Sequence, residues 1–301
     1  MSLTQAKGVV MSLSPSSRRQ FLATTGIALT GPALVGRIAF GSSAPPRPAE
    51  SKGLKIGVAS YSLREFPLDA ALEMCQDMDV KYITLKDMHL PRTDPPEVIR
   101  ANGKKIEAAG LTIMGGGVIT WKANDEAEIR KDFDYAKAGG FPTIVCSPAP
   151  ETLDIVEKLV KEYDIKIAIH NHGPEDEWYP APADALAALK GRDARMGICM
   201  DIGHSVRAGA DIVESVTLAG PRLLDLHIKD LADKSDKDSQ VEVGKGALDI
   251  PGLFRALLKA NFEGHLALEY EINADDPLAG MKESLAYERG VHAALLGEAT
   301  S

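Results

Sequence analysis

Cysteine is scarce in this chain of 301 residues. Cys75, Cys146 and Cys199 stand far apart, form no CxxC pair and are odd in number, which argues against a disulfide framework. Aromatic residues are few as well; two Trp, seven Tyr and seven Phe are too sparse for a broad stacking surface. Cationic residues are in the minority, 34 Lys and Arg against 43 Asp and Glu, so a basic face for nucleic acid is not expected. No glycine-rich phosphate fingerprint follows the first apolar strand, which weakens a dinucleotide reading. What remains is an ordinary globular balance, 45% apolar and 26% charged, unlike a disordered or collagen-like chain.

The first fifty residues read as an address. Ser17-Arg18-Arg19-Gln20-Phe21-Leu22 has the form of a twin-arginine export signal. A moderately apolar stretch, 23–40, follows, interrupted by Pro32 and Arg37, so it makes a poor membrane span. Small residues at Ser42-Ser43-Ala44 suit cleavage, and the prolines from Pro45 open a stiff linker. The expected organisation is a signal over 1–44, a linker over 45–53 and one folded domain over 54–301, with a periplasmic or other extracytoplasmic destination and no stable membrane insertion after cleavage. Cleavage would remove four cations and no acid, moving the net charge from −9 to −13.

Beyond the linker, short apolar runs alternate eight times with helix-period segments. The runs are expected at 55–60, 82–86, 112–118, 143–146, 166–170, 197–201, 223–227 and 265–269. Asn124 is expected to cap the helix after the third run. Eight such units in about 250 residues match a single-domain α/β fold, the (β/α)₈ TIM barrel. That fold makes a test of itself, because its chemistry gathers at the C-terminal strand ends.

Those ends carry polar residues. They read His170-Asn171-His172, Asp201-Ile202-Gly203-His204, His227-Ile228-Lys229-Asp230 and Glu269-Tyr270-Glu271, with Lys86-Asp87 after the second strand. Alternate strand residues face opposite ways. Apolar Ile169, Met200, Leu226 and Leu268 belong to the helix layer, so His170, Asp201, His227 and Glu269 point to the barrel axis. Two imidazoles and two carboxylates, with a charge of about −2 between them, suit one divalent ion, Mn²⁺, Co²⁺, Fe²⁺ or Zn²⁺. Four unpaired polar groups at one barrel mouth are otherwise costly. Cys199, two residues below Asp201, reads as a small core filler.

With these motifs, together with Tyr61-Ser62-Leu63-Arg64, Leu85-Lys86-Asp87-Met88-His89-Leu90 and Val243-Gly244-Lys245-Gly246, the chain resembles the sugar phosphate isomerase/epimerase family of xylose-isomerase-like, metal-dependent barrels. The resemblance spans about 54–296. It implies a metal held by residues of strands five to eight, which map to the four residues named above. In the family's ketose epimerases the strand-five ligand is a glutamate that also shuttles a proton; here it is His170. The His-Asn-His-Gly and Lys-Asp pattern is more like exported relatives that eliminate or hydrate 3-keto-sugars and their glycosides.

The expected chemistry is removal of a proton beside a sugar carbonyl, with the enediolate stabilised by the metal. Lys86, His172, Glu269 and Lys229 are the candidate catalytic groups, and His204, His89, Glu271, Trp121 and Trp178 the candidate substrate contacts, the two Trp as ring-stacking surfaces. Glu242 and Lys245 lie in a long loop that could close over the site. The function classes are an isomerase or epimerase, a lyase or hydratase of keto-glycosides, and a non-catalytic sugar-binding barrel. A nuclease of the related endonuclease barrel is disfavoured, since Cys146-Ser147-Pro148 supplies no further carboxylate and the charge is acidic. The expected partner is a small sugar or keto-glycoside. Barrels of this kind often pair as homodimers, and the sequence leaves oligomeric state open.

Overall fold

In a computed structural model, residues 53–298 are described. The expected signal and all but the last residue of the expected linker lie outside them. Eight parallel strands pair in chain order, and the eighth pairs back to the first, closing a barrel. The strands are β1 (Lys55–Ala59), β2 (Tyr82–Leu85), β3 (Thr112–Trp121), β4 (Thr143–Pro148), β5 (Lys166–His170), β6 (Met196–Asp201), β7 (Leu223–Ile228) and β8 (His265–Leu268). Between and after them run α1 (Leu68–Asp77), α2 (Pro96–Ala108), α3 (Glu126–Gly139), α4 (Leu153–Tyr163), α5 (Pro182–Ala188), α6 (Ile202–Arg207), α7 (Ile212–Ala219), α8 (Ile250–Lys259) and α9 (Leu278–Glu298). The expected (β/α)₈ barrel is therefore the fold. No helix among the described residues is long and apolar enough to cross a membrane.

The elements follow from local chemistry. Strands covered on both faces are apolar throughout, as in Ile167-Ala168-Ile169. Helix α8 buries Ile250, Leu253, Phe254 and Leu257, a spacing that puts all four on one face. Asp125, not Asn124, caps α3, accepting from the amides of Ala127 and Glu128. Strand β3 runs three residues past its expected end at Val118. Its glycines are a packing requirement. A β-carbon at Gly115 would lie 2.7 Å from the Thr143 carbonyl oxygen, so only glycine lets β3 and β4 approach. Helix α6 has six residues, too few to show a period.

The barrel interior is stepped. Val145, Ala168 and Cys199 fill its floor, which confirms the small-filler role of Cys199. In register, His170 lies opposite Cys199, Asp201 opposite His227, and Ala267 opposite His227. From β5 to β8 the positions of His170, Asp201, His227 and Glu269 thus climb by 0, 2, 2 and 4 residues. Strand tilt in a barrel of shear 8 imposes a climb of about one residue per strand, so the four reach one level.

The long loop after β7 is tied down by Asp230. Its buried carboxylate accepts from the amides of Gly244, Gly246 and Leu248 at 2.9, 3.1 and 3.1 Å. Asp230→Ala is expected to cost about 3 kcal/mol, because these three amides and that of Leu231 lose a charged acceptor. Hydrogen exchange should show faster exchange over 242–248; an unchanged pattern there would refute the anchoring role.

Candidate metal and substrate site

His170, Asp201, His227 and Glu269 converge at the C-terminal end of the barrel, each offering one ligand atom within 4.8 Å of the others. All four are buried. His170 Nε2 lies 2.8 Å from His227 Nδ1, and His227 Nδ1 lies 3.1 Å from Glu269 Oε2. Asp201 Oδ2 is 3.6 Å from His170 Nε2.

Asp201 is aimed by its own helix. Its Oδ1 accepts from the His204 amide at 2.8 Å, capping α6, and its Oδ2 is left facing the cluster. Asn171 holds β5 to β6 by accepting from the Asp201 amide at 3.0 Å. His170 Nδ1 meets His172 Nδ1 at 3.3 Å. Arg207 approaches His204 Nδ1 at 3.1 Å; a guanidinium only donates, so the proton of His204 sits on Nε2. Sequence reasoning does not reach Arg207, although it lies one helical turn from His204.

The electrostatics sort the groups. Burial pushes the His170 imidazole well below its ordinary value, and neighbouring His227 adds to this. Burial also lowers His172, with His204 adding. For Asp201 burial acts upward, but His204, Lys229 and His170 hold its carboxyl well below the usual range. Glu269 is likewise held down, against burial, by His227, Lys86 and Lys229. The cluster is therefore two carboxylates beside two imidazoles, of which His170 is pushed toward its neutral form by burial.

That donor set fits a divalent ion. Asp201 Oδ2 is buried without a well-formed hydrogen bond, although Lys229 Nζ lies 3.0 Å away. Two imidazole nitrogens, His170 Nε2 and His227 Nδ1, point into the same space 2.8 Å apart, beside the two carboxylates. An imidazole ligating through Nε2 leaves Nδ1 for a partner outside the metal, and His172 Nδ1 lies there at 3.3 Å, itself 3.3 Å from Asp176 Oδ2.

A cavity of about 420 Å³ opens beside the cluster, lined by His170, His172, His204, Glu269, Glu271 and Lys86 among others. Lys86 Nζ is 3.2 Å from Glu269 Oε1. Tyr61, Asp87, Met88 and Arg92 also line it. The first three belong to the quoted motifs; Arg92 carries no local signal. A larger hollow, about 1260 Å³, lies at the opposite end among strand starts such as Lys55 and Lys166. The smaller cavity is the candidate site, because the groups with shifted protonation line it.

Three expected substrate contacts lie elsewhere. His89 is buried, with Nδ1 3.0 Å from Ser60 Oγ and Nε2 near the Leu63 and Phe66 carbonyls; it ties two loops together. Trp121 is stacked on Phe133, and its Nε1 donates to Asp132 at 2.8 Å, within the layer between β3 and α3. Trp178 packs half-buried against the apolar core and does not line the cavity. In each case the side chain that looked free in the sequence has a packing partner. Lys229 is buried beneath the cavity rather than on its wall, bonded to Glu269 and Glu271. Glu242 and Lys245 do not close over the cavity; Glu242 accepts from Tyr270 and Lys245 pairs with Glu283.

Comparison with known proteins adds a family. The sequence profile of the xylose isomerase-like TIM barrel matches residues 105–289. An uncharacterized protein of Mycobacterium leprae is 22% identical over 274 residues, 78% of this chain and 97% of the relative. An inosose dehydratase of Clostridium perfringens is 29% identical over 136 residues, 40% of this chain and 46% of that enzyme, so the match spans less than half its length. Among solved structures, a D-psicose 3-epimerase determined with D-fructose has a TM-score of 0.64 at 15% identity, covering 79% of this chain and 99% of that one. At that identity the likeness is one of fold.

Proposed function

The chain belongs to the xylose isomerase-like TIM barrel family, and from that premise we propose that it is a metal-dependent enzyme that isomerises or epimerises a sugar or keto-sugar. The observation that carries this is the convergence of His170, Asp201, His227 and Glu269 beside a cavity that Lys86 shares. Held by these four, a divalent ion would supply a Lewis acid for charge developing on a substrate oxygen.

The residues divide the remaining work. Glu269, anionic and touching Lys86 through Oε1, is placed to take a proton from a carbon beside a carbonyl. His172, whose Nδ1 lies 3.3 Å from both His170 Nδ1 and Asp176 Oδ2, lines the cavity and can return a proton from the β5 side. His204, with Nε2–H set by Arg207, is a donor for a sugar hydroxyl or carbonyl oxygen. The cations lining the cavity are already paired, Lys86 with Glu269 and Arg92 with Asp132, which supports a substrate without phosphate. The export motif at Ser17–Leu22 supports action outside the cytoplasm.

A second reading, elimination or hydration of a keto-sugar or keto-glycoside, is favoured by His170 standing where an epimerase carries a second carboxylate and by the partial match to a dehydratase. It uses the same proton removal. Incubation of the metal-loaded chain with ketoses and 3-keto-glycosides in D₂O separates the two. Isomerisation or epimerisation places deuterium beside the carbonyl without loss of mass; elimination releases water or an aglycone. Neither exchange nor product from any keto-sugar would overturn both and leave the sugar-binding barrel.

A further inference from the structure

The ammonium of Lys229 touches the same two oxygens that the cluster offers to a cation. Its Nζ lies 3.0 Å from Asp201 Oδ2 and 3.1 Å from Glu269 Oε2, and it also bonds Glu271 Oε1. Asp201 and Glu269 are the anionic half of the candidate metal site. The lysine side chain is 5% exposed, whereas that of Glu271 is 40% exposed, at the cavity wall.

The route of this side chain is built into the fold. A β-carbon at Gly203 would lie 2.7 Å from Lys229 Cδ and 2.8 Å from Cγ. Gly203 does not have a positive φ, so its backbone does not call for glycine; the lysine stem does. The glycine of Asp201-Ile202-Gly203-His204 is thus the gap through which the lysine of His227-Ile228-Lys229-Asp230 reaches the carboxylates.

An ammonium and a divalent ion cannot both keep those oxygens at full strength. Two unit charges about 4 Å apart repel by about 1 kcal/mol in water and about 4 kcal/mol at an effective dielectric of 20, and a double charge doubles this. We propose that Lys229 is a tethered competitor of the divalent ion. It neutralises Asp201 and Glu269 while the ion is absent and passes to Glu271 when the ion binds. The bond to Glu271 already exists, so the transfer needs only a shift of the terminal side-chain atoms. This rests on the metal-site reading above. The consequence is a site whose carboxylates are never left bare, at the expense of affinity for the ion.

The test is calorimetric titration of the chelator-stripped, full-length chain with Mn²⁺, in the wild type, Lys229→Met, Glu271→Gln and the double variant. Lys229→Met is expected to bind Mn²⁺ at least about tenfold more tightly and to melt at a lower temperature without the ion. Glu271→Gln is expected to bind several-fold more weakly, because the displaced ammonium loses its acceptor. In the Lys229→Met background the Glu271→Gln change should have no further effect; that non-additivity separates transfer from simple loss of charge. Unchanged or weaker binding in Lys229→Met overturns the proposal. If that variant does not fold, unchanged or tighter binding in Glu271→Gln, which alters a half-exposed residue, overturns it. A wild type that binds no Mn²⁺ overturns the metal-site reading and this proposal together, whereas equal affinity in all variants overturns this proposal alone.

Discussion

Elemental mass spectrometry of the chain purified without chelator is expected to return about one Mn, Co, Fe or Zn per chain, and none from His170→Ala or Glu269→Gln. Each variant removes one of four donors that meet within 4.8 Å. His170→Ala deletes a nitrogen, and Glu269→Gln replaces an anionic oxygen with a neutral one and unbalances Lys86 and Lys229. A Lewis acid contributes several kcal/mol to such chemistry, so turnover should fall at least about a thousandfold in both. Adding back the ion should raise the melting temperature of the wild type and not of the variants, because a ligand stabilises only the state that binds it. Wild type and variants with the same metal content would remove the site as assigned.

Glu288→Gln is expected to stabilise the protein, and increasingly so as pH rises. Glu288 lies on α9, fully buried, and neither carboxyl oxygen meets a protein hydrogen-bond partner. Burial pushes its carboxyl up to about 8. In the unfolded chain the group ionises near about 4.3. Between those values the unfolded state gives up the proton while the folded state keeps it, so stability falls with rising pH. The full loss, reached above the folded value, is about 5 kcal/mol. Glutamine keeps the shape and does not titrate. Urea unfolding at pH 5.5 and 8.5 should show the wild type losing stability relative to Glu288→Gln across that interval. Parallel behaviour at both pH values would mean that the carboxylate finds a partner in solution.

Strand order, barrel class and the inward parity of His170, Asp201, His227 and Glu269 were legible in the linear chain. Alternation along a strand is a local property, and the apolar residue before each polar one, Ile169, Met200, Leu226 or Leu268, reveals which way it points. The resemblance to sugar-isomerising barrels rested on the same strand ends, and the family match agrees with it. Composition alone set aside disulfide scaffolds and basic nucleic-acid faces.

Distance and partnership were not legible, because they depend on residues far apart in the chain. His89 and Trp121 have the right chemistry to meet a sugar, but Ser60 and Asp132 claim them. Arg207 and Arg92 gained roles only when helix and loop brought them to His204 and the cavity. Gly203 reads as part of a turn until Lys229 is seen to pass it. The run of amino acids says which side chains face the axis; only closure of the barrel sets which of them share an oxygen.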